Sequence, residues 1–214
     1  MSASAGLKTI ESRKFRVGRI RGFNDPFEWR FRICGIVDEG RPVAEQCLDR
    51  FIEDIDRKFG IICFSGDITD PVLWAHYADN HKEVAFEVDY LNDSGTLHEV
   101  QYTQERPVFD ANHLADPTTL EDHMKPIIDK MLYQKAPGWA YEKEYRVHIS
   151  FDTCSRSGGS YFLPIPDAFV TRVVLGFDCP LEEDYIAAAL SDVGMIDTTV
   201  VRGKMHETSY EIQC

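Results

Sequence analysis

The stretch DPVLWAHYADNHKEVAFEVDY, residues 70–90, decides the fold class, because it places one helix and one strand in direct succession. Asp70 suits the N-cap of a helix, and Pro71 suits its first position. From Val84 onward, apolar and polar residues alternate with the period of a half-buried strand. Helices and strands are interspersed along the chain without a strict strand–helix–strand rhythm. The sequence therefore predicts an α+β fold with mixed or antiparallel sheets and flanking helices.

Further sequence signals of helices and strands occur on both sides of this stretch. The strand at 83–90 is expected to form a hairpin with 97–103 across a turn at 92–95. Pro126 predicts a kink or a late start in the helix that contains it. The predicted helices span 5–15, 42–59, 117–135 and 181–192, besides the one that begins at 71. The further predicted strands span 61–65, 144–151, 161–165, 169–177, 196–202 and 207–212.

Length and composition limit the class of protein. The chain has 214 residues, 43% of them hydrophobic and 28% charged, which predicts one packed domain over residues 1–214 and no membrane-spanning segment. The net charge of −13 argues against a broad nucleic-acid-binding surface, because affinity for phosphates needs clustered cations. The six cysteines form no C-x-x-C pair and the N-terminus has no apolar signal region, so we expect reduced thiols and a cytoplasmic protein.

The N-terminal segment is basic in an otherwise acidic chain, since residues 1–32 hold eight Lys or Arg against three acids. Arg19 and Arg21 lie just before the turn Asn24-Asp25-Pro26-Phe27-Glu28. The Asn and Asp residues there have a purely structural interpretation, because both residue types favour turns. The cations beside them would equally suit a phosphorylated ligand. The sequence leaves both interpretations of this turn open.

No P-loop, G-x-S-x-G, H-E-x-x-H or G-x-G-x-x-G pattern occurs, so any chemistry must come from less standard groups. One candidate is the segment 73–82, where His76, Asp79 and His81 have the residue types of a metal site. This spacing is a weak signal, and a metal is not favoured. The alternative is that the Trp and Tyr of the segment pack in the core, while His81 lies at the helix C-terminus, where a cation is favourable.

A second candidate is the pair Glu142 and Glu144, which flank Lys143 at the entry to a predicted strand, so that both carboxylates are expected on one face. Like charges on one face repel unless they are solvated, paired with a cation or used to hold a developing positive charge. One interpretation pairs them with Arg146 on the same face. In the other, one carboxylate stabilises an oxocarbenium-like ribose while its neighbour orients a nucleophile.

Five ordered segments carry a family resemblance. They are F-N-D-P-F-E (23–28), I-C-F-S (62–65), L-W-A-H-Y-A-D-N-H-K-x-V-A-F-E-V-D (73–89), K-x-x-x-W-x-Y-E-K-E-Y-R (135–146) and V-V-L-G (173–176). Together they extend over nearly the whole chain, and they resemble a widespread uncharacterised bacterial and phage domain family that includes AbiGi-type abortive-infection proteins. Members usually begin with a short strand before the first helix, so the resemblance implies that this chain lacks an N-terminal strand. It also implies a role in phage defence or in conflict between phage and host.

A smaller set of residues is similar to the ADP-ribosyltransferase plan, in which NAD binds between two small sheets. Ser65 matches the position that ends a middle strand, and Glu142-x-Glu144 matches the late strand, whereas the residue of the first strand has no counterpart. The resemblance implies that Glu144 stabilises a ribosyl cation. We therefore expect a NAD-consuming transferase or glycohydrolase with NAD as its substrate. A non-catalytic nucleotide-sensing or protein-binding module of a defence system, and a metal-dependent nuclease, are the alternatives.

These hypotheses depend on two groups of side chains. The catalytic candidates are Glu144, Glu142 and His81. The candidates for substrate binding are Arg19, Arg21, Asn24, Asp25, Glu28, Ser65, Trp74, His76, Tyr77, Lys82, Tyr141 and Arg146. The expected partners are a nucleotide-type small molecule and a protein partner or acceptor.

Overall fold

The computed structural model of the chain describes residues 1–35, 41–90, 95–115 and 120–214. The α-helices are α1 (Ala3–Ser12), α2 (Arg41–Lys58), α3 (Pro71–Tyr77), α4 (Leu120–Tyr133) and α5 (Glu183–Asp192). The strands are β1 (Lys14–Val17), β2 (Arg32–Cys34), β3 (Phe59–Ser65), β4 (Val84–Val88), β5 (His98–Glu99), β6 (Gln101–Tyr102), β7 (Val108–Asp110), β8 (Gln134–Lys135), β9 (Glu144–Ser150), β10 (Ser155–Ser157), β11 (Ser160–Pro164), β12 (Val170–Leu175), β13 (Thr199–Arg202), β14 (Lys204–Met205) and β15 (Ile212–Gln213). The predicted α+β class is confirmed.

The strands of the described ranges form small sheets of two or three strands each. The three-stranded sheets have the orders β1-β11-β10, β13-β12-β4 and β3-β9-β5, and the pairs are β2-β7, β6-β8 and β14-β15. Strand β12 is antiparallel to β4 but parallel to β13. The pairs β2-β7 and β6-β8 are also parallel. The sheets are therefore mixed, as the interspersed order of helices and strands predicts.

The predicted hairpin between 83–90 and 97–103 is wrong. Strand β4 pairs with β12, where Phe86 lies opposite Val173, and β5 pairs with β9, where His98 lies opposite Arg146. The physical reason is burial, because β12 offers β4 a fully buried apolar neighbour that the short, half-exposed β5 does not. The predicted turn at 92–94 and the predicted helix start at 117–119 lie outside the described residues.

Pro126 lies inside α4, so the alternative of a late helix start after this residue is wrong. Among the described residues, no helix combines the length and the apolar character that crossing a membrane requires.

The chain packs as two compact units. Unit 1 consists of Met1–Arg16, Ser65–Gly95 and Cys154–Cys214, and unit 2 of Val17–Phe64 and Thr96–Thr153.

Unit 1 is organised around α3 and β12. The helix begins as its sequence predicts, because the Asp70 side chain accepts a hydrogen bond from the Val72 N–H at 2.7 Å, and Pro71 occupies the first turn. Strand β12 lies in the middle of its sheet, and its Val and Leu side chains fill the interior. The buried core residues that pack together are Trp74, Ala78, Val174 and Ile212.

Unit 2 packs α2 and α4 with the sheet β3-β9-β5 and the pair β2-β7. Its apolar residues form two clusters, which explains why both helices carry apolar side chains at helical spacing. One cluster contains Ala44, Leu48, Phe109, Ala111 and Met124. The other contains Ile20, Trp29, Ile61 and Met131.

Candidate ligand-binding site

The turn at residues 25–28 of unit 2 is built by its own sequence. The Asp25 carboxylate oxygen Oδ1 accepts a hydrogen bond from the Phe27 N–H at 2.8 Å, and the Glu28 N–H donates to the Asp25 carbonyl at 3.2 Å. As a result, the Phe27 ring is 57% exposed, whereas the Glu28 side chain is only 1% exposed. The turn therefore presents an aromatic ring to solvent and sends a carboxylate inward.

Glu142 does not lie on the strand that carries Glu144, so the predicted placement of both carboxylates on one strand face is wrong. Glu142 ends a short 3-10 helix (Pro137–Glu142), and Lys143 has a left-handed backbone with φ of 44° before β9 begins at Glu144. This left-handed residue redirects the chain between the two glutamates. Both carboxylates are nevertheless buried, and they meet at a common cation.

That cation is Lys135, the last residue of β8, and its side chain is 3% exposed. Its ammonium nitrogen Nζ lies 2.6 Å from Oε2 of Glu142 and 3.3 Å from Oε2 of Glu144. The same nitrogen lies 4.7 Å from the centroid of the Trp139 ring and 3.9 Å from Oε2 of Glu28. Lys135 is thus surrounded by three carboxylates and an aromatic face.

Arg146, on β9, is the second buried cation of this group, which we call the ion cluster (Glu28, Lys135, Glu142, Glu144 and Arg146). Its Nε donates to Oε1 of Glu144 at 2.8 Å, and its Nη2 donates to Oε2 at 2.9 Å. Nη2 also donates to Oε1 of Glu28, and Nη1 donates to the Leu132 carbonyl at 2.8 Å. The interpretation that pairs Glu144 with Arg146 is therefore confirmed, and Glu142 pairs with Lys135 instead.

The ion cluster shifts the pKa values of its members in opposite directions. Burial raises the pKa of Glu28 above its ordinary value, against the opposing charges of Arg146 and Lys135. Burial also acts to raise the pKa of Glu144, but the hydrogen bond and the charge of Arg146 outweigh it and hold that pKa below its ordinary value. Glu28 is therefore the carboxylate of the two that binds a proton more readily.

A cavity of about 280 Å³ opens beside the turn and the ion cluster, entirely within unit 2. Asp25, Phe27 and Glu28 line it together with Lys135, and the segment 103–107 forms a further wall. Arg106 in that segment lies over the Phe27 ring, with its guanidinium carbon 5.7 Å from the ring centroid. The cavity thus combines an exposed ring, an exposed cation and buried carboxylates.

Two carboxylate oxygens beside this cavity have no hydrogen-bond partner among the residues that the structure describes. They are Oδ2 of Asp25 and Oε2 of Glu28, and both atoms are shielded from solvent. The Asp25 side chain belongs to a residue that is 4% exposed. Buried polar atoms are nearly always hydrogen-bonded in native proteins, so these two oxygens are unusual, but both are closed off from the cavity as well as from solvent.

The aromatic and His candidates of segment 73–82 lie in unit 1. Trp74 is buried in the core of that unit, and its Nε1 donates to the Ile68 carbonyl at 2.7 Å. The His81 ring stacks on Phe177, with 4.3 Å between the centroids. Burial lowers the pKa of His81, although the charge of Asp178 opposes this shift. His81 therefore lies just beyond the end of α3 as a ring stacked on Phe177, and its lowered pKa favours the neutral ring over the cation of the alternative interpretation.

The glycine of the V-V-L-G motif supports this arrangement. A Cβ atom at Gly176 would lie 2.0 Å from the carbonyl oxygen of His81, which excludes any larger residue without a backbone shift. His81 itself has a left-handed backbone with φ of 68°. The motif thus holds the turn after α3 against β12.

The remaining candidates have other partners. Arg19 and Arg21 pair with Asp56 and Glu53 of α2. The Ser65 hydroxyl donates to the backbone carbonyl of Asp67 at 3.1 Å, as a turn residue does.

Five further candidates lie at or near the surface of their units. His76 and Tyr77 contact each other edge to face on α3, and Tyr77 is exposed. Lys82 is paired with Asp79 at 3.8 Å. Asn24 is exposed beside the turn, and the Tyr141 ring lies 6.2 Å from that of Trp139. In the described part of the chain, no group of three or more metal-ligand side chains is arranged to hold an ion.

Residue type alone did not predict that three residues belong to the site. They are Phe27, Arg106 and Lys135. Lys135 begins the motif K-x-x-x-W-x-Y-E-K-E-Y-R, so its place in an ordered motif was a usable signal. Arg106 lies in a segment that has the composition of an ordinary loop, and its position at the cavity follows only from tertiary structure.

A match to a known protein family covers part of the chain that forms the ion cluster. No curated protein and no solved structure matches the chain. The segment that matches a family model contains four members of the ion cluster, while Asp25 and Glu28 precede it. Residues 73–147 match the family described as Protein of unknown function (DUF2971).

Proposed function

We propose that this protein binds a nucleotide-type small molecule in the cavity lined by Asp25, Phe27, Glu28, Arg106 and Lys135. The observation that carries the proposal is the cavity itself, which brings the exposed Phe27 ring together with the exposed cation of Arg106. Concave sites with a few convergent polar groups are the usual places of small-molecule binding.

The size of the cavity limits the ligand. Its volume of about 280 Å³ lies at the small end for ligand pockets, which are roughly 300–1,000 Å³. This space suits a single nucleoside or nicotinamide riboside group rather than a whole dinucleotide. A larger ligand such as NAD would place one half in the cavity and leave the other half outside it.

The lining chemistry suits the parts of a mononucleotide. The exposed Phe27 ring offers a stacking surface for a base, and such stacking contributes about 1–3 kcal/mol per base. Arg106 beside it offers a cation to a phosphate group. Thr103 and Gln134 add polar side chains to the same walls. Each feature is weak alone, and their convergence on one cavity favours this ligand class.

Thermal unfolding in the presence of nicotinamide mononucleotide, AMP and NAD tests the proposal. A ligand at 100 times its dissociation constant stabilises a protein by about 2.7 kcal/mol, which corresponds to a melting-temperature increase of roughly 5–10 °C at this chain length. Phe27→Ala should weaken binding by about tenfold or more through lost stacking. Tyr210→Ala removes a fully exposed aromatic ring of unit 1 and serves as the matched control. Absence of any shift at millimolar ligand, or equal shifts in both variants, contradicts the proposal.

NAD consumption is the second candidate function. One observation favours it: Glu28 lines the cavity and shares Arg146 with Glu144, so an ionisable carboxyl group lies beside the proposed ligand. In this mechanism the bond between ribose and nicotinamide breaks, nicotinamide leaves as a neutral molecule, and water attacks the ribosyl cation and gives its proton to Glu28. Glu144 acts on Glu28 only through the Arg146 that they share. Nicotinamide release from NAD by the wild type, lost in Glu144→Gln and Glu28→Gln variants that still fold, supports turnover. Undetectable release by the wild type leaves binding alone.

The biological setting that we propose is phage defence or phage–host conflict, on the resemblance to AbiGi-type abortive-infection proteins. In that setting the ligand site acts as a nucleotide sensor or as a catalytic site, and a protein serves as partner or acceptor. Survival of infected cells that carry the wild-type protein or Phe27→Ala tests this setting, because equal phage titres in both contradict it.

The nuclease hypothesis at His76, Asp79 and His81 predicts nucleic-acid cleavage that a chelator abolishes.

A further inference from the structure

The charged side chains that line the cavity leave one cation for an anionic ligand. They are Asp25, Glu28, Glu105, Arg106 and Lys135. The Lys135 side chain is only 3% exposed, and its ammonium nitrogen lies 2.6 Å from Glu142 and 3.3 Å from Glu144. Because these carboxylates already compensate its charge, Lys135 is not available to a phosphate group. Arg106 is the remaining cation of the cavity walls.

Arg106 has the position and the donors to bind one phosphate group. It is exposed, it lies over the Phe27 ring, and it has no carboxylate partner among the residues that the structure describes. A guanidinium group binds a phosphate group through two parallel N–H···O hydrogen bonds. Glu105, which is also exposed, directly precedes Arg106 in the chain. The single cation of the cavity walls therefore has a negative charge next to it.

The backbone of the cavity walls adds few donors. In the segment 103–107, the Thr103 N–H donates to a backbone carbonyl at 3.0 Å, and the Glu105 N–H donates to the Thr103 hydroxyl oxygen at 3.3 Å. Pro107 has no N–H group. The turn at 25–28 engages two of its N–H groups internally. Polyphosphate sites bind their ligand with a run of free backbone N–H groups and a lysine, and neither of these two described segments has such a run.

We propose that the cavity selects a nucleoside monophosphate and discriminates against the corresponding di- and triphosphates. The inference rests on the proposed function and narrows its ligand class by the number of phosphate groups. The first phosphate group has the Arg106 guanidinium as its partner. A second or third phosphate group meets no further available cation in the described cavity walls and adds negative charge beside Glu105. Like charges brought together at a binding site lower the affinity.

Isothermal titration calorimetry of the wild-type chain with adenosine, AMP, ADP and ATP tests the inference. The same series with uridine, UMP, UDP and UTP makes the result independent of the base. We expect the monophosphate to bind at least about tenfold more tightly than the nucleoside, because it gains hydrogen bonds between charged groups. We also expect it to bind at least about tenfold more tightly than the triphosphate in a buffer of low salt, since salt screens the repulsion. Mg²⁺, which partly neutralises a triphosphate, should narrow this difference without reversing it.

Variants at exposed positions assign the discrimination to these side chains, and such substitutions rarely prevent folding. Arg106→Gln should bring the affinity for the monophosphate to within about threefold of that for the nucleoside, because the available cation is lost. Glu105→Gln should raise the affinity for the triphosphate by about threefold or more, because it removes the adjacent negative charge.

Arg156→Gln is the matched control for Arg106→Gln. Arg156 is also exposed, and its guanidinium carbon also lies 5.7 Å from the centroid of an aromatic ring, that of Tyr161 in unit 1. The two substitutions thus remove the same kind of cation from the same kind of contact, one at the cavity and one in the other unit. Arg156→Gln should leave the affinity for the monophosphate within about twofold of the wild type, since screening limits the reach of exposed charges.

The outcomes separate the inference from the proposed function. Triphosphates that bind as tightly as monophosphates, with or without Mg²⁺, overturn the discrimination and leave nucleotide binding intact. Equal affinities for nucleoside and monophosphate, or a preference for the monophosphate that survives Arg106→Gln unchanged, overturn the assignment of the phosphate group to Arg106 and the inference with it. Binding of no member of either series at millimolar concentration overturns the proposed function, and the inference falls with it.

Discussion

Replacing Arg146 by Met removes the cation on which the ion cluster depends. Arg146 is fully buried and donates four hydrogen bonds, three of them to the carboxylates of Glu28 and Glu144. The variant leaves these carboxylates buried without this partner. Removing one partner of a buried pair costs about 3–5 kcal/mol, whereas a typical domain has only about 5–15 kcal/mol of unfolding free energy. We expect a loss of unfolding free energy in that range, or failure of unit 2 to fold.

Arg172→Met is the matched control. Arg172 also pairs with a glutamate, in this case Glu87 of the neighbouring strand β4, but both side chains are partly exposed in unit 1, at 27% and 41%. Partly exposed pairs contribute about 0–1 kcal/mol, so this variant should remain close to the wild type. The two substitutions thus make the same chemical change in opposite environments.

Urea unfolding at neutral pH, followed by circular dichroism, measures the free energies, and hydrogen exchange of β9 assigns the loss to unit 2. The deficit of the Arg146→Met variant should shrink as the pH falls. In the wild type, Arg146 holds the pKa of Glu144 below its ordinary value, so this contribution to stability is present above that ordinary value and lost as the pH falls through the folded pKa. A loss below about 1 kcal/mol at neutral pH, or one equal to that of Arg172→Met, refutes the reasoning.

Two further predictions concern single positions. Gly176→Ala should destabilise unit 1 by about 2 kcal/mol or more, because its Cβ would lie 2.0 Å from the His81 carbonyl, whereas Gly138→Ala, with no atom nearby, should stay within about 0.5 kcal/mol by urea unfolding. Equal stability of the two alanine variants contradicts the close contact. Glu28 should make the stability of the wild type, relative to Glu28→Gln, fall as the pH rises from the ordinary pKa of a glutamate through the folded pKa, because burial raises the folded pKa above the unfolded value. A stability difference that does not change with pH in urea titrations contradicts a raised pKa.

Local signals predicted the elements that depend on neighbouring residues. Helix α2 follows from apolar spacing, and α3 begins at the predicted cap, because capping and amphipathic periodicity are decided within a few residues. The partner of β4 was not predictable in this way. Its neighbour β12 lies about eighty residues further along the chain, and such pairing is decided by burial of both strands rather than by the turn that follows β4.

The candidate site was predictable in part. Asp25, Glu28, Glu144 and Arg146 were named from their motifs, and the structure brings Glu28, Glu144 and Arg146 into one buried cluster. Trp74 was also named as a site candidate, but it is buried in the core of unit 1. An aromatic residue on a helix has the same local pattern in both cases, so only tertiary packing distinguishes them.

A crystal structure of the protein saturated with nicotinamide mononucleotide tests the central claim most directly. The account predicts electron density for the ligand in the cavity of unit 2, with its base ring on Phe27 and its phosphate toward Arg106. Ligand bound instead among the residues of α3, or a saturated protein whose cavity holds only water, contradicts it.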